Sequence, residues 1–170
     1  VPQAQFALAA LPRLLTMLLP IGIGAAFLVS RTVRTINAAM PPAWLIAVQT
    51  YRTGGVMFLW PFLSVLPAGF ALPAGIGDVV TGLAAPFVAL MVARRRPGAY
   101  RWALAWNWFG IVDLIVAPAT AVLTHAPVTN VYPLALIPIF LGPPLGILTH
   151  IYSLRNLAAQ RAMLEREVGT

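Results

Sequence analysis

An all-α integral membrane bundle of about five transmembrane helices, N-terminus outside and C-terminus cytoplasmic, is the fold class this sequence predicts. Three observations predict it. Of the 170 residues, 60% are hydrophobic and 9% charged, against about 45–50% apolar and about 25% charged in soluble domains. The apolar residues gather in five runs, each near the roughly 20 residues of helix that a hydrocarbon core of about 30 Å requires. The arginines cluster at alternate connections between those runs. A single transmembrane domain over 1–153 then accounts for most of the chain, and 154–170 is expected as a cytoplasmic tail, amphipathic or frayed.

Taken in order, the first run extends from about Gln5 to Val29 and carries Arg13 near its outer end, where a long side chain can snorkel to the head groups. Arg31 and Arg34 mark its inner end. The second run, Ala43 to Leu66, leads into LPAGFALPAGIGD, Leu66 to Asp78, in which LPAG occurs twice, six residues apart. Pro67 and Pro73 remove helix hydrogen bonds, and Gly69 and Gly75 tolerate turn dihedrals. A tight apolar turn near the outer surface is expected there, with a protein-shielded re-entrant loop as the alternative. The third run, Ala74 to Ala93, ends at Arg94, Arg95, Arg96 and Arg101. The fourth, Trp102 to Leu123, ends in a connection without arginine, Thr124 to Tyr132. The fifth, Pro133 to Tyr152, leads to Arg155, Arg161 and Arg166.

Threading the chain with all three clusters on one side fixes the orientation, because short cytoplasmic loops collect Lys and Arg. A bacterial-type cytoplasmic (inner) membrane is the expected location. The formal charge of +7 would point to nucleic acid in a soluble domain. Distributed in this way it matches anionic head groups instead. Membrane lipids and protein partners within the membrane are the expected partners, and nucleic acid is not. The sequence contains no Cys, and every basic residue is Arg. Disulfides, thiolate sites and Schiff bases are thereby excluded.

Ionisable groups inside apolar runs must find partners, since a charge at the bilayer centre costs about 2.5–3.5 kcal/mol on insertion scales. Arg52 lies about nine residues into the second run from its inner end and Asp113 about eleven into the fourth, so at 1.5 Å per residue they share a depth of about 14–17 Å. An Arg52–Asp113 salt bridge is predicted, with Gln49 and Asn107 completing the hydrogen bonding of a midplane polar site. Asp78, at the expected start of the third helix, reads as a helix-dipole cap. Its alternative is an outer-face polar site with His125, Asn130 and Tyr132. His150 is expected at the inner interface. No metal-ligand spacing appears, and neither a catalytic motif nor a cofactor is implied.

Small residues form stripes along the third and fifth runs: Gly82, Ala85 and Ala89 in one, Gly142 and Gly146 in the other. Such stripes allow helices to approach closely. Trp44, Tyr100, Trp102, Tyr132 and Tyr152 fall near run boundaries, as an interfacial belt requires. Three functional classes follow. The first is a non-catalytic structural or accessory subunit of a membrane assembly, expected from the stripes and the scarcity of polar groups. The second is a small transporter, channel or ligand-binding membrane protein using Arg52, Asp113, Gln49 and Asn107. The third is an outer-face enzyme that would need Asp78 and His125 within hydrogen-bond reach.

Overall fold

Pro, Gly and Thr decide where the helices of this chain break, and their spacing produces one unusual element. The computed structural model describes residues 22–27, 29–128 and 133–165. Most of the expected first run, with Arg13, lies outside the described residues, as do Asn130 and Tyr132 of the second outer connection. Helix α1 (Arg31–Ala39) is capped by Ser30, whose Oγ accepts from the Val33 amide at 3.4 Å. It stops before Pro41, and α2 (Pro42–Ala47) starts with proline in its first turn, where the missing N–H costs nothing.

The second run, expected as one helix, is not regular. After α2 the chain tightens into a 3₁₀ helix over Val48–Gly55, resumes as a single α-turn, α3 (Val56–Leu59), and ends in turns up to Leu66. Its sequence, VQTYRTGG, explains the change. Two glycines and three β-branched residues weaken the α form. Thr50 and Thr53 also return their hydroxyls to the carbonyls three residues back, Ala47 at 2.7 Å and Thr50 at 2.9 Å. With three residues per turn, side chains at i and i+3 eclipse. Gln49, Arg52 and Gly55 therefore share one face, and all three are buried.

The LPAG repeat is corrected as well. Pro67 is a helix N-cap, but Pro73 lies inside α4 (Ala68–Ala93), and Gly69 and Gly75 are helical. Helix α4 begins six residues earlier than the repeated proline suggested. A proline near the first turns removes one bond and is carried by the packing around it. Helix α5 (Ala99–Leu123) follows a short turn in which Gly98 has a φ of 77°. Helix α6 (Pro133–Glu165) runs unbroken for 33 residues, through Pro143 and Pro144 and on past Tyr152.

Packing divides the bundle into three layers. At the arginine-bearing end, Ile46, Ala85, Val88, Ala89, Val92, Ala99, Ala103, Trp106, Leu157 and Leu164 form one apolar core. At the other end, Leu66, Phe70, Ala71 and Ala74 pack with Met57, Phe58, Phe62, Ala117 and Ala121. Phe58 meets Phe70 edge to face, ring centroids 5.6 Å apart. Between these two cores lies a buried polar layer. The three arginine-bearing segments converge: Asn156 of α6 donates to the Asn37 and Met40 carbonyls at 2.9 Å each, and the Arg161 guanidinium stacks 5.3 Å over the ring of Tyr100. All described secondary structure is helical. Two described helices, α4 and α5, are long and apolar enough to cross a membrane.

Candidate ligand site

Counted from the arginine-bearing ends of antiparallel α4 and α5, Ala93 and Ala99, Asp78 lies 15 residues in and Asp113 lies 14. At 1.5 Å per residue both stand about 21–23 Å along their helices. The 3₁₀ helix brings Arg52 between them. Its Nε donates to Asp78 Oδ1 at 2.7 Å and its Nη2 donates to Asp113 Oδ2. Nη1 reaches the Gly110 carbonyl and His150 Nε2, each at 3.4 Å. The Arg52 side chain is 1% exposed. Burial on this scale is tolerable only because each edge of the guanidinium has an acceptor.

The predicted Arg52–Asp113 pair is thus present, within a larger cluster than the sequence suggested. Gln49 does not touch it: its Nε2 donates to the Gly146 carbonyl at 3.1 Å and to Thr149 Oγ1 at 2.5 Å, which ties the 3₁₀ helix to α6. Asn107 joins through an intermediary. Because His150 Nε2 faces an N–H donor, it accepts there, which leaves the ring proton on Nδ1. Nδ1 donates to Asn107 Oδ1 at 2.9 Å. Asn107 Nδ2 then donates to Ser153 Oγ at 3.1 Å and to the Ala103 carbonyl at 2.8 Å. Trp106 closes the layer, its ring 4.9 Å from that of His150 and its Nε1 donating to the Thr81 carbonyl at 3.1 Å.

Two placements differ from expectation. Asp78 is no first-turn cap, because α4 starts ten residues before it. His150 is not interfacial: it is fully buried, because α6 continues well beyond the end of the apolar run. A signal for His150 was present, since Gly146, His150 and Ser153 recur at helical spacing opposite Gly110 of α5. A Cβ on Gly110 would run into the His150 ring, and one on Gly77 would run into the Asp113 carboxylate. Glycine at both positions allows the polar groups to meet. Of the stripe residues, Gly82 abuts the backbone of Arg52 and Thr53, Ala85 and Ala89 are buried in the core, and Gly146 packs on Leu114. A Cβ on Gly142 would meet nothing within 4 Å among the described residues.

A cavity of about 740 Å³ opens beside this cluster, between the 3₁₀ helix, α3, α4, α5 and α6. Its walls are mostly aromatic, proline and aliphatic, among them Phe58, Phe62, Phe70, Leu114 and Pro118, and Arg52 and Asp78 meet it at the polar layer. Asp78, with 24% of its side chain exposed, is the most open member of the ion cluster. His125 lines the same cavity from the turn after α5. Asp78 Oδ1 accepts from Arg52, and among the described residues no hydrogen bond joins Asp78 to His125. Among the described residues no group of three or more His, Cys, Asp or Glu could hold a metal ion.

A family model described as a domain of unknown function (DUF8737) matches residues 9–158. The chain belongs to the DUF8737 family. The DUF8737 match includes the 3₁₀ helix, α4, α5 and α6 as far as Ala158, and with them every member of the polar layer. No curated protein and no solved structure matches the chain.

Proposed function

We propose that this chain is a small multi-pass membrane protein that holds an apolar or amphiphilic ligand inside the bundle, for binding or for transport. The observation that carries this reading is the cavity of about 740 Å³ with Arg52 and Asp78 in its lining. Ligand pockets fall in the range of about 300–1,000 Å³, lined by apolar groups with a few convergent polar ones. The membrane setting is supported by α4, which presents Leu72, Ile76, Val80, Leu83, Phe87 and Leu90 as an exposed apolar face along its length. Lipid is the solvent such a face requires. In the same scheme the chain crosses five times, with its arginine-rich end in the cytoplasm and an inner membrane around it.

The accessory-subunit reading draws on the small-residue stripes as helix contact faces, together with scarce polar groups and minimal loops. Gly82, Ala85 and Ala89 are instead occupied by contacts within the bundle, which leaves ligand binding the better supported of the two. The test is purification in mild detergent followed by mass spectrometry of the extracted small molecules, for the natural chain and for Ala117→Trp, which narrows the cavity from α5. A compound held by the natural chain and missing from the variant is expected. Identical extracts from the two proteins would overturn the reading.

A further inference from the structure

We infer that the cavity selects amphiphiles with a cationic, hydrogen-bond-donating head, such as a protonated long-chain amine, and that Asp78 is the residue that receives it. This rests on the ligand-binding reading and adds to it the charge class of the ligand. The argument begins with the acceptors of Arg52. Its Nε, Nη1 and Nη2 are directed at Asp78, at Gly110 and His150, and at Asp113. With those contacts made and its side chain 1% exposed, the guanidinium has little capacity left to greet an anion entering the cavity.

Asp78 is in the opposite position. Oδ1 accepts from Arg52, the side chain is 24% exposed, and the residue lines the cavity. Its Oδ2 accepts no hydrogen bond from Arg52, whose contact is with Oδ1. The formal charges point the same way, since two carboxylates face one guanidinium and His150 is held as the neutral ring. With both carboxylates ionised, the described residues of the polar layer hold one more negative than positive charge, an arrangement that favours a cation over a carboxylate or phosphate. Among the described residues, the other cavity-lining polar side chains are Tyr51 and His125. Tyr51, which carries no positive charge, directs its hydroxyl to the Gly142 carbonyl at 3.5 Å. Phe58, Phe62 and Phe70 provide faces that accept an alkyl chain and tolerate a neighbouring ammonium.

The experiment uses the full chain in nanodiscs of zwitterionic phosphatidylcholine, with binding of dodecylamine, dodecanol and dodecanoate measured by native mass spectrometry and competition. Dodecylamine should bind more tightly than dodecanoate to the unmodified chain, a comparison that needs no variant. Asp78→Asn, which keeps an acceptor for Arg52, should weaken dodecylamine about 10- to 100-fold and leave dodecanol unchanged, as expected for the loss of one charge-assisted hydrogen bond. Ala117→Trp should exclude the amine and the alcohol alike. If dodecanol or dodecanoate matches dodecylamine and Ala117→Trp excludes them all, the charge selectivity is overturned while the cavity remains a binding site. If Ala117→Trp changes none of the three, both this inference and the ligand-binding reading fail.

Discussion

Arg52 is the residue on which the interior of this protein depends, because removing it would strand two carboxylates. Breaking a buried ion pair by deleting one partner costs about 3–5 kcal/mol, much of it the desolvation of the charge left behind. Arg52→Met is therefore expected to lower the thermal midpoint in detergent steeply, and Arg52→Met combined with Asp78→Asn and Asp113→Asn should recover most of the loss. Additive losses in the triple variant would show that the three groups do not act as one unit. The Arg52–Asp113 half of this cluster was legible in the sequence, because depth along apolar runs is countable. Asp78 and His150 were not. For Asp78 the second proline signals a helix stop, although the helix runs through Pro73. For His150 the end of the apolar run is a false marker of depth, since the helix itself continues to Glu165.

Among the elements, the 3₁₀ helix gives the site its shape. An α-helix would advance side chains by about 100° per residue, turning Gln49, Arg52 and Gly55 progressively off one line, whereas three residues per turn stack them. The adjacent glycines at its end provide a contrast that tests this. A Cβ on Gly55 would strike the side chain of Asp78, while one on Gly54 would meet nothing within 4 Å. Neither glycine has a positive φ. Gly55→Ala should therefore destabilise by about 1–3 kcal/mol through overpacking. Gly54→Ala should be neutral or stabilise by up to about 1 kcal/mol by restricting the unfolded chain. Paired thermal melts of the two variants read the difference, and equal effects would contradict the eclipsed face. The sequence offered a cue in VQTYRTGG, where β-branched residues and glycines weaken the α form. An apolar run of the right length for one regular helix outweighed that cue, because hydropathy measures burial and carries no information on residues per turn.

At the scale of the whole molecule, the polar layer lies between two apolar cores, and among the described residues arginines gather beyond one of them. Arg31 and Arg34 on α1, the Arg94 to Arg96 turn, and Arg155 and Arg161 on α6 belong to segments joined by the Asn156 bonds to α1 and the Arg161–Tyr100 stack. The far end holds the turns after α3 and α5, where residues 60–67 and 124–128 contain no arginine. If lipid surrounds the bundle, this asymmetry sets its orientation by the bias of short cytoplasmic loops toward basic residues. The absence of cysteine from the sequence makes the orientation directly measurable, since any thiol introduced is the only one present. Ser64→Cys and Arg96→Cys change exposed positions near opposite ends of the bundle. In intact cells a membrane-impermeant maleimide should label Cys at position 64 and leave position 96 unlabelled until the membrane is opened. The reverse pattern would invert the topology while leaving the Arg52 cluster intact. Labelling of both positions in intact cells would mean that the two ends are not separated by a bilayer, and the apolar face of α4 would then need a protein cover in place of lipid.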